Sequence, residues 1–320
     1  MFCFFIFTLE EMIRFILFLL FPVGVFSQSL AELKAFDYRR ADSIALHFPK
    51  KKFKTVNEIA AVLTEDLKTE QEKFRAIFRW ITDNIEYNKS ASNITDATKV
   101  VRKNKTVCQG FSNLLKEMCN TVNIPCDVIV GYTKTEAKDI NKPLKKTDHA
   151  WNSVQLYGTW YLVDVTWATS KYNVVSHKYV KEFDEHYFLT TPQKFILDHF
   201  PEDKKFQFLD KPVKKSTFTK WPVYYTDYFH FGINNISLQK GAFKWHVKDT
   251  LTVYVTASTT LKNAAVLVND DKFVSSVTLK YDDKLKRYYF NYVFAQPVKS
   301  DFTVYLNDEC IAEYLVNVKK

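Results

Sequence analysis

Three residues near the middle of the chain have the types and spacing for nucleophilic acyl transfer: Cys108, His149 and Asp164. Cys108 stands in Thr106-Val107-Cys108-Gln109-Gly110-Phe111, directly before a segment with helical apolar spacing. A thiol at a helix N-terminus meets the positive end of the helix dipole and a set of unpaired backbone N–H groups, and both favour the thiolate. The same N–H groups, that of Cys108 first among them, can donate to the oxyanion of a tetrahedral intermediate. Gly110 lets the backbone pack closely there. A single cysteine before a helix is more often a packing residue than a nucleophile, so the reading depends on its partners.

His149 opens Asp148-His149-Ala150-Trp151-Asn152, at the mouth of an expected strand, and Asp164 interrupts the apolar run Trp160-Tyr161-Leu162-Val163-Asp164-Val165-Thr166. A carboxylate buried there needs a partner, because an unpaired buried charge is costly. If Tyr157-Gly158 make a two-residue hairpin turn, Leu156 faces Thr159, Trp151 faces Asp164 and His149 faces Thr166. His149 and Asp164 are then diagonal neighbours on one face, roughly 7–8 Å apart at Cβ. Moving the turn to Gly158-Thr159 separates them by about 13 Å along the strand. In the first register the carboxylate holds the imidazole in one tautomer, and the other ring nitrogen takes the thiol proton. Asn152 and Trp151 stand beside this site, as supporting groups or as ordinary sheet packing.

The elements that position these residues are legible from periodicity. Thr55-Val56-Asn57-Glu58 and Thr69-Glu70-Gln71-Glu72 are capping boxes, and the second opens a helix face of Phe74, Ile77, Phe78, Ile81 and Ile85. A short helix is expected over Asp96 to Arg102. Another follows Cys108, with Phe111, Leu114, Leu115, Met118 and Val122 on its apolar stripe. Strands are expected at Asp127–Tyr132, His149–Leu156 and Trp160–Thr166, with a lysine-rich loop over Thr133–Asp148. From Lys214 the helical period is gone. Short β-rich runs follow at Leu251–Thr256, Ala264–Val268, Tyr288–Val293 and Phe302–Leu306, with turns at Asn269-Asp270-Asp271 and Asn307-Asp308; they predict a β-sandwich.

Val107-Cys108-Gln109-Gly110-Phe111-Ser112, Asp148-His149-Ala150-Trp151-Asn152 and Trp160-Tyr161-Leu162-Val163-Asp164-Val165-Thr166-Trp167 resemble the three core motifs of the transglutaminase-like superfamily. Phe78-Arg79-Trp80-Ile81 and Asn84-Ile85-Glu86-Tyr87 are similar to the helix that precedes the cysteine motif there. Tyr187-Phe188-Leu189-Thr190-Thr191-Pro192 and His199-Phe200-Pro201-Glu202-Asp203 resemble the branch that includes the kyphoscoliosis peptidase. The resemblance spans residues 55 to 210. It implies an α+β fold, with helices packed on an antiparallel sheet in a papain-like core, and acyl transfer through a thioester. The superfamily contains cross-linkers, proteases, amidases and inactive members.

The bulk properties bound the setting. A chain of 320 residues with 47% hydrophobic and 16% aromatic content has enough apolar surface for two cores. The expected division is a leader at 1–27, a transglutaminase-like catalytic domain at 28–213 and an immunoglobulin-like all-β sandwich at 214–320. Ile13–Phe26 is a short apolar run with Arg14 near its start and Val25-Phe26-Ser27 at its end. That is the layout of a secretory signal, too short for a comfortable membrane span. Met12 makes a better start than Met1, because Glu10 and Glu11 interrupt a positive leader. The expected location is therefore secreted or periplasmic, in the cell envelope, with no stable membrane span in the mature chain.

The net charge of +9 is scattered, which favours contact with an anionic cell surface and does not call for nucleic acid. Of Cys3, Cys108, Cys119, Cys126 and Cys310, the first leaves with the leader. Cys119 and Cys126 either bridge or serve as small buried hydrophobes. Glu182-Phe183-Asp184-Glu185-His186 lacks the paired spacing of a metal helix, so no metal and no cofactor are expected. Trp80 and Tyr87 read as core. The expected function is an exported cysteine acyltransferase or hydrolase acting on protein or peptide amides. The competing expectation is a non-catalytic adhesion or assembly module that keeps a vestigial triad.

Overall fold

The computed structural model describes residues 29–49, 53–173, 178–268 and 274–320. The leader, the choice between Met1 and Met12, Cys3 and the Asn269-Asp270-Asp271 turn lie outside these residues. No helix among the described residues is long and apolar enough to cross a membrane.

Among the described residues, six helices lead into the site: α1 (Leu30–Ala35), α2 (Arg39–Leu46), α3 (Val56–Thr64), α4 (Glu70–Asn84), α5 (Ala97–Lys103) and α6 (Cys108–Thr121). The box that opens α4 closes both ways, with Glu72 N donating to Thr69 Oγ1 and Thr69 N to Glu72 Oε2. The box at α3 closes one residue further back than expected: Glu58 Oε2 accepts from the Lys54 amide at 2.8 Å. Asp96 caps α5 through the Lys99 amide. Phe74, Ile77, Phe78, Ile81 and Ile85 are fully buried. So are Phe111, Leu114, Leu115 and Met118 of α6, while Val122 is only partly covered.

These helices share one core with a four-stranded antiparallel sheet. Its strands are β1 (Cys126–Thr133), β2 (His149–Leu156), β3 (Thr159–Val163) and β4 (His199–Pro201), in the order β3-β2-β1-β4. The β2–β3 hairpin has the expected register, Leu156 opposite Thr159 and Asn152 opposite Val163. Its two turn residues, Tyr157 (φ 51°) and Gly158 (φ 79°), both take the left-handed conformation that matches strand twist. The third strand is shorter than the apolar run predicts. It stops at Val163, because the Asp164 carboxylate captures the amides of Thr166 (2.8 Å) and Trp167 (3.0 Å) and turns the chain out of the ladder.

The C-terminal region is all strand apart from short helical turns. One sheet holds Ile233–Ile236, Thr250–Ala257, Arg287–Val293 and Lys280–Asp282. The other is centred on Val298–Leu306 and Glu309–Lys319, flanked by Ala242–His246 and Ala264–Val268. Both feed one apolar cluster that includes Val253, Phe290, Phe302 and Tyr314, which makes the unit a β-sandwich. The four expected runs are all strands. Glu309–Lys319, the longest, follows the Asn307-Asp308 turn and lies beyond them.

The two cores are joined by buried polar contacts. Lys134 Nζ donates to the carbonyls of Trp221 (3.0 Å) and Pro222 (2.8 Å) over the Phe218 ring. Glu313 Oε2 accepts from the Ala137 amide (2.6 Å) and the Tyr225 hydroxyl (3.0 Å).

Candidate active site

Cys108 is the first residue of α6, and the preceding Val107 makes no side-chain cap, so the helix's leading amides are not taken by a capping group. Gly110 is required by a close approach: a Cβ there would run into Thr106 Oγ1 and the Ile94 carbonyl. That contact holds the start of α6 against the segment before it.

The thiol lies in hydrogen-bond contact with His149 and accepts from the Ala150 amide. Burial pushes the thiol's pKa up, but the hydrogen bond and charge of His149 outweigh it, and the net direction is down. His149 Nε2 stands 2.6 Å from Asp164 Oδ2, which leaves Nδ1 for the sulfur. Burial disfavours the imidazolium, yet the charge of Asp164 and its hydrogen bond push His149 up to about 10. Asp164 is fully buried, which favours the neutral acid. The charge and hydrogen bonds of His149, and those of His199, hold it instead well below the usual carboxylate range. Thiol, imidazole and carboxylate thus form one chain of contacts at the helix start, in the order the hairpin register predicts.

The structure adds residues that sequence reasoning missed. His199, on β4, brings Nε2 to 3.0 Å from the same Asp164 Oδ2, while its Nδ1 lies 2.6 Å from Asp198 Oδ1. The Tyr187 hydroxyl donates to Asp198 Oδ2 at 3.3 Å. Trp167 closes over the imidazoles, its ring centroid 5.5 Å from that of His149 and 4.4 Å from that of His199. The missed signal is the one that exposed Asp164: Asp198-His199 is an ionisable pair set inside the apolar stretch Phe195-Ile196-Leu197…Phe200.

The neighbours singled out from sequence divide. Trp151 lies against His149 at 6.0 Å and edge-on to His199 at 5.1 Å. Asn152 turns away and donates to the carbonyls of Ser112 and Asp127, tying α6 to the sheet. Glu185 pairs with Arg75, Asp184 with His230, and His186 stacks on Phe229, so that acidic run is dispersed among separate contacts. Cys119 and Cys126 are buried free thiols. Trp80 is buried in the core and Tyr87 packs against it. His149, Asp164 and His199 hold ligand-type atoms within 4.8 Å of one another, the compactness a metal would need. One oxygen already accepts from both imidazoles there, however, and the second His199 nitrogen is committed to Asp198.

Residues 57–165 match the family model described as the transglutaminase-like superfamily. Over 184 residues the chain is 33% identical to the kyphoscoliosis peptidase of Mus musculus, covering 56% of this chain and 28% of that protein. Over 275 residues it is 26% identical to hillarin of Drosophila melanogaster, covering 79% of this chain and 33% of the relative. The chain therefore spans at most a third of the length of these relatives. A solved TGase structure is 15% identical, with a TM-score of 0.27, and is matched over 55% of this chain and 41% of that one. Cys108, His149 and Asp164 all fall within the matched residues, and the chain carries a domain of the transglutaminase-like superfamily.

Proposed function

We propose that the protein is an exported thiol enzyme that cleaves or transfers acyl groups of protein or peptide amides, with Cys108 as nucleophile, His149 as base and then acid, and Asp164 as the group that orients His149. The observation that carries this is the continuous contact from the Cys108 thiol through His149 to Asp164, with the thiol on the first residue of a helix. The thiolate adds to the amide carbonyl, and the oxyanion is met by the Cys108 N–H at the open helix end. The His149 imidazolium then gives its proton to the departing amine, the C–N bond breaks and a thioester remains. Water or a second amine adds to the thioester, His149 takes its proton, and the thiol leaves as thiolate. The name of the mouse relative, a peptidase, favours water as the acceptor. Export rests on the apolar run Ile13–Phe26.

The test is incubation of the purified protein with a glutamine-containing protein and a labelled amine. New chain termini mean proteolysis, incorporated label means transfer, and ammonia alone means deamidation. Cys108→Ala and His149→Ala are expected to abolish whichever product forms. Product from both variants would overturn the mechanism. In the same protein, iodoacetamide should alkylate Cys108 well below the pH of about 8.5 that an ordinary thiol requires. Alkylation only at that pH would instead favour a binding module.

A further inference from the structure

The chain of contacts does not stop at Asp164. His199 is fully buried between two carboxylates, 2.6 Å from Asp198 on one nitrogen and 3.0 Å from Asp164 on the other. A neutral imidazole carries one N–H and one lone pair, so one of these contacts would set a lone pair against a carboxylate. Only the imidazolium donates at both ends. Asp164 Oδ2 is then shared by two rings whose centroids lie 5.5 Å apart.

We propose that His199 is a positioning residue of the site: a standing imidazolium that shares Asp164 with His149 and sets the pH range over which Cys108 is thiolate. The inference rests on the reading of Cys108 and His149 as the reacting pair. Two effects follow from the geometry. The second donor anchors Oδ2, and with the Thr166 and Trp167 amides on Oδ1 the carboxylate has no freedom to rotate away from His149. The positive charge of His199 also offsets part of the negative charge that Asp164 presents to His149. Without it, both proton losses of the Cys108–His149 pair move to higher pH, because a nearby cation favours the deprotonated form of every acid around it.

The surroundings favour this protonation state. Phe195 stacks on the His199 ring at 4.2 Å, and Trp167 and Trp151 close two further sides, so water does not screen the charges. Tyr187 keeps its proton through burial and donates to Asp198. Buried His186 is held neutral, and Lys134 lies within electrostatic reach of Asp198. Burial alone would push His199 down, but the charge of Asp198 and the bonds to Asp164 and Asp198 carry it up.

Two measurements decide the matter. In the unsubstituted protein, imidazole nitrogen NMR should show both His199 ring nitrogens protonated at about pH 7, where a free histidine has mostly lost its second proton. A neutral His199 tautomer at pH 7 overturns the proposal, and this reading needs no variant to fold. The second measurement is the iodoacetamide rate of Cys108 against pH in the parent and in His199→Gln, which keeps one donor and loses the charge. Both inflections should move up by about one to two pH units, the scale expected for a unit charge some 5.5 Å away at an effective dielectric of about 20 or somewhat more. A folded His199→Gln with an unmoved profile sinks the proposal. If the parent thiol itself titrates as an ordinary cysteine, the reading of Cys108 fails instead, and the NMR result still reports on His199.

Discussion

Asp164→Asn is the substitution in which the geometry makes its sharpest demand. The carboxylate accepts four hydrogen bonds: Oδ1 from the amides of Thr166 and Trp167, Oδ2 from His149 and His199. An asparagine has one acceptor oxygen, so whichever way it is placed its NH2 faces two donors. Removing one partner of a buried ion pair costs about 3–5 kcal/mol. The imidazole gives the same scale. His149 is carried from 6.5 up to about 10, which at about 1.4 kcal/mol per pH unit is on the order of 5 kcal/mol. The sign follows from linkage. Asp164, held low, contributes stability that is present above about pH 4 and lost as pH falls through its folded value. His149, held high, contributes stability that is fully present below about pH 6.5 and lost as pH rises through its folded value near 10. The variant's deficit in denaturant unfolding should therefore be greatest between about pH 4 and 6.5 and shrink toward pH 10. Alkylation gives an independent reading. Burial at His149 is then opposed only by the Cys108 contact, the ring gives up its proton more easily, and the thiol's cationic partner is weakened. A thiol titrating near 8.5 is only a few per cent ionised at pH 7, so the iodoacetamide rate there should fall, by up to roughly 30-fold. A variant as stable as the parent, with an unchanged alkylation profile, would refute the pairing of Asp164 with His149.

Other perturbations test the scaffold. Gly131 lies between His149 on one strand and Pro201 on the other, and a Cβ there would meet the Phe200 carbonyl and the Trp151 ring; Gly131→Ala should cost on the order of 1–3 kcal/mol and slow Cys108 alkylation by displacing both imidazoles. Phe188 is fully buried against Tyr38, Phe74 and Phe78, with the Arg75 guanidinium 4.6 Å from its ring centroid, and Phe188→Ala should cost about 3–5 kcal/mol in denaturant unfolding. Glu313 is pushed up to about 7 by burial, against the hydrogen bonds from Tyr225 and Ala137, so its charged form burdens the fold increasingly between about pH 4.3 and 7. Glu313→Gln keeps an acceptor for both donors and should raise stability by on the order of 2 kcal/mol at pH 8 with no gain at pH 4; equal effects at both would show that its charge is not the cause.

What was legible in the sequence is what local rules dictate. Cys108 was readable at a helix start because Phe111, Leu114, Leu115 and Met118 repeat at helical spacing, and those four side chains are fully buried. His149 and Asp164 could be brought together because a two-residue turn leaves few registers, and the one with Tyr157-Gly158 at its tip is the one the chain adopts. The end of β3 falls short of the apolar run for a related reason. Apolar alternation continues through Val165, but a buried carboxylate binds the nearest free amides, and the strand gives way to a turn at Asp164 itself.

The part that escaped is the part assembled by distant pairing. His199 reaches Asp164 because β4 joins the edge of β1, Gly131 opposite Pro201 and Thr133 opposite His199, a contact 66 residues apart in the chain with no local pattern to announce it. Yet the residues carried a physical signal of their own. An Asp-His pair between Leu197 and Phe200 faces the same objection as Asp164 in its apolar run: buried ionisable groups must find each other. With Cys108, His149, Asp164 and Asp198-His199 in hand, that rule calls for a network in which the charges alternate. The alternation is what the structure holds, from the thiol through imidazole, carboxylate and imidazole to a second carboxylate. A three-residue site needs only the first of those carboxylates; the far end has to be accounted for by what it does to the near end.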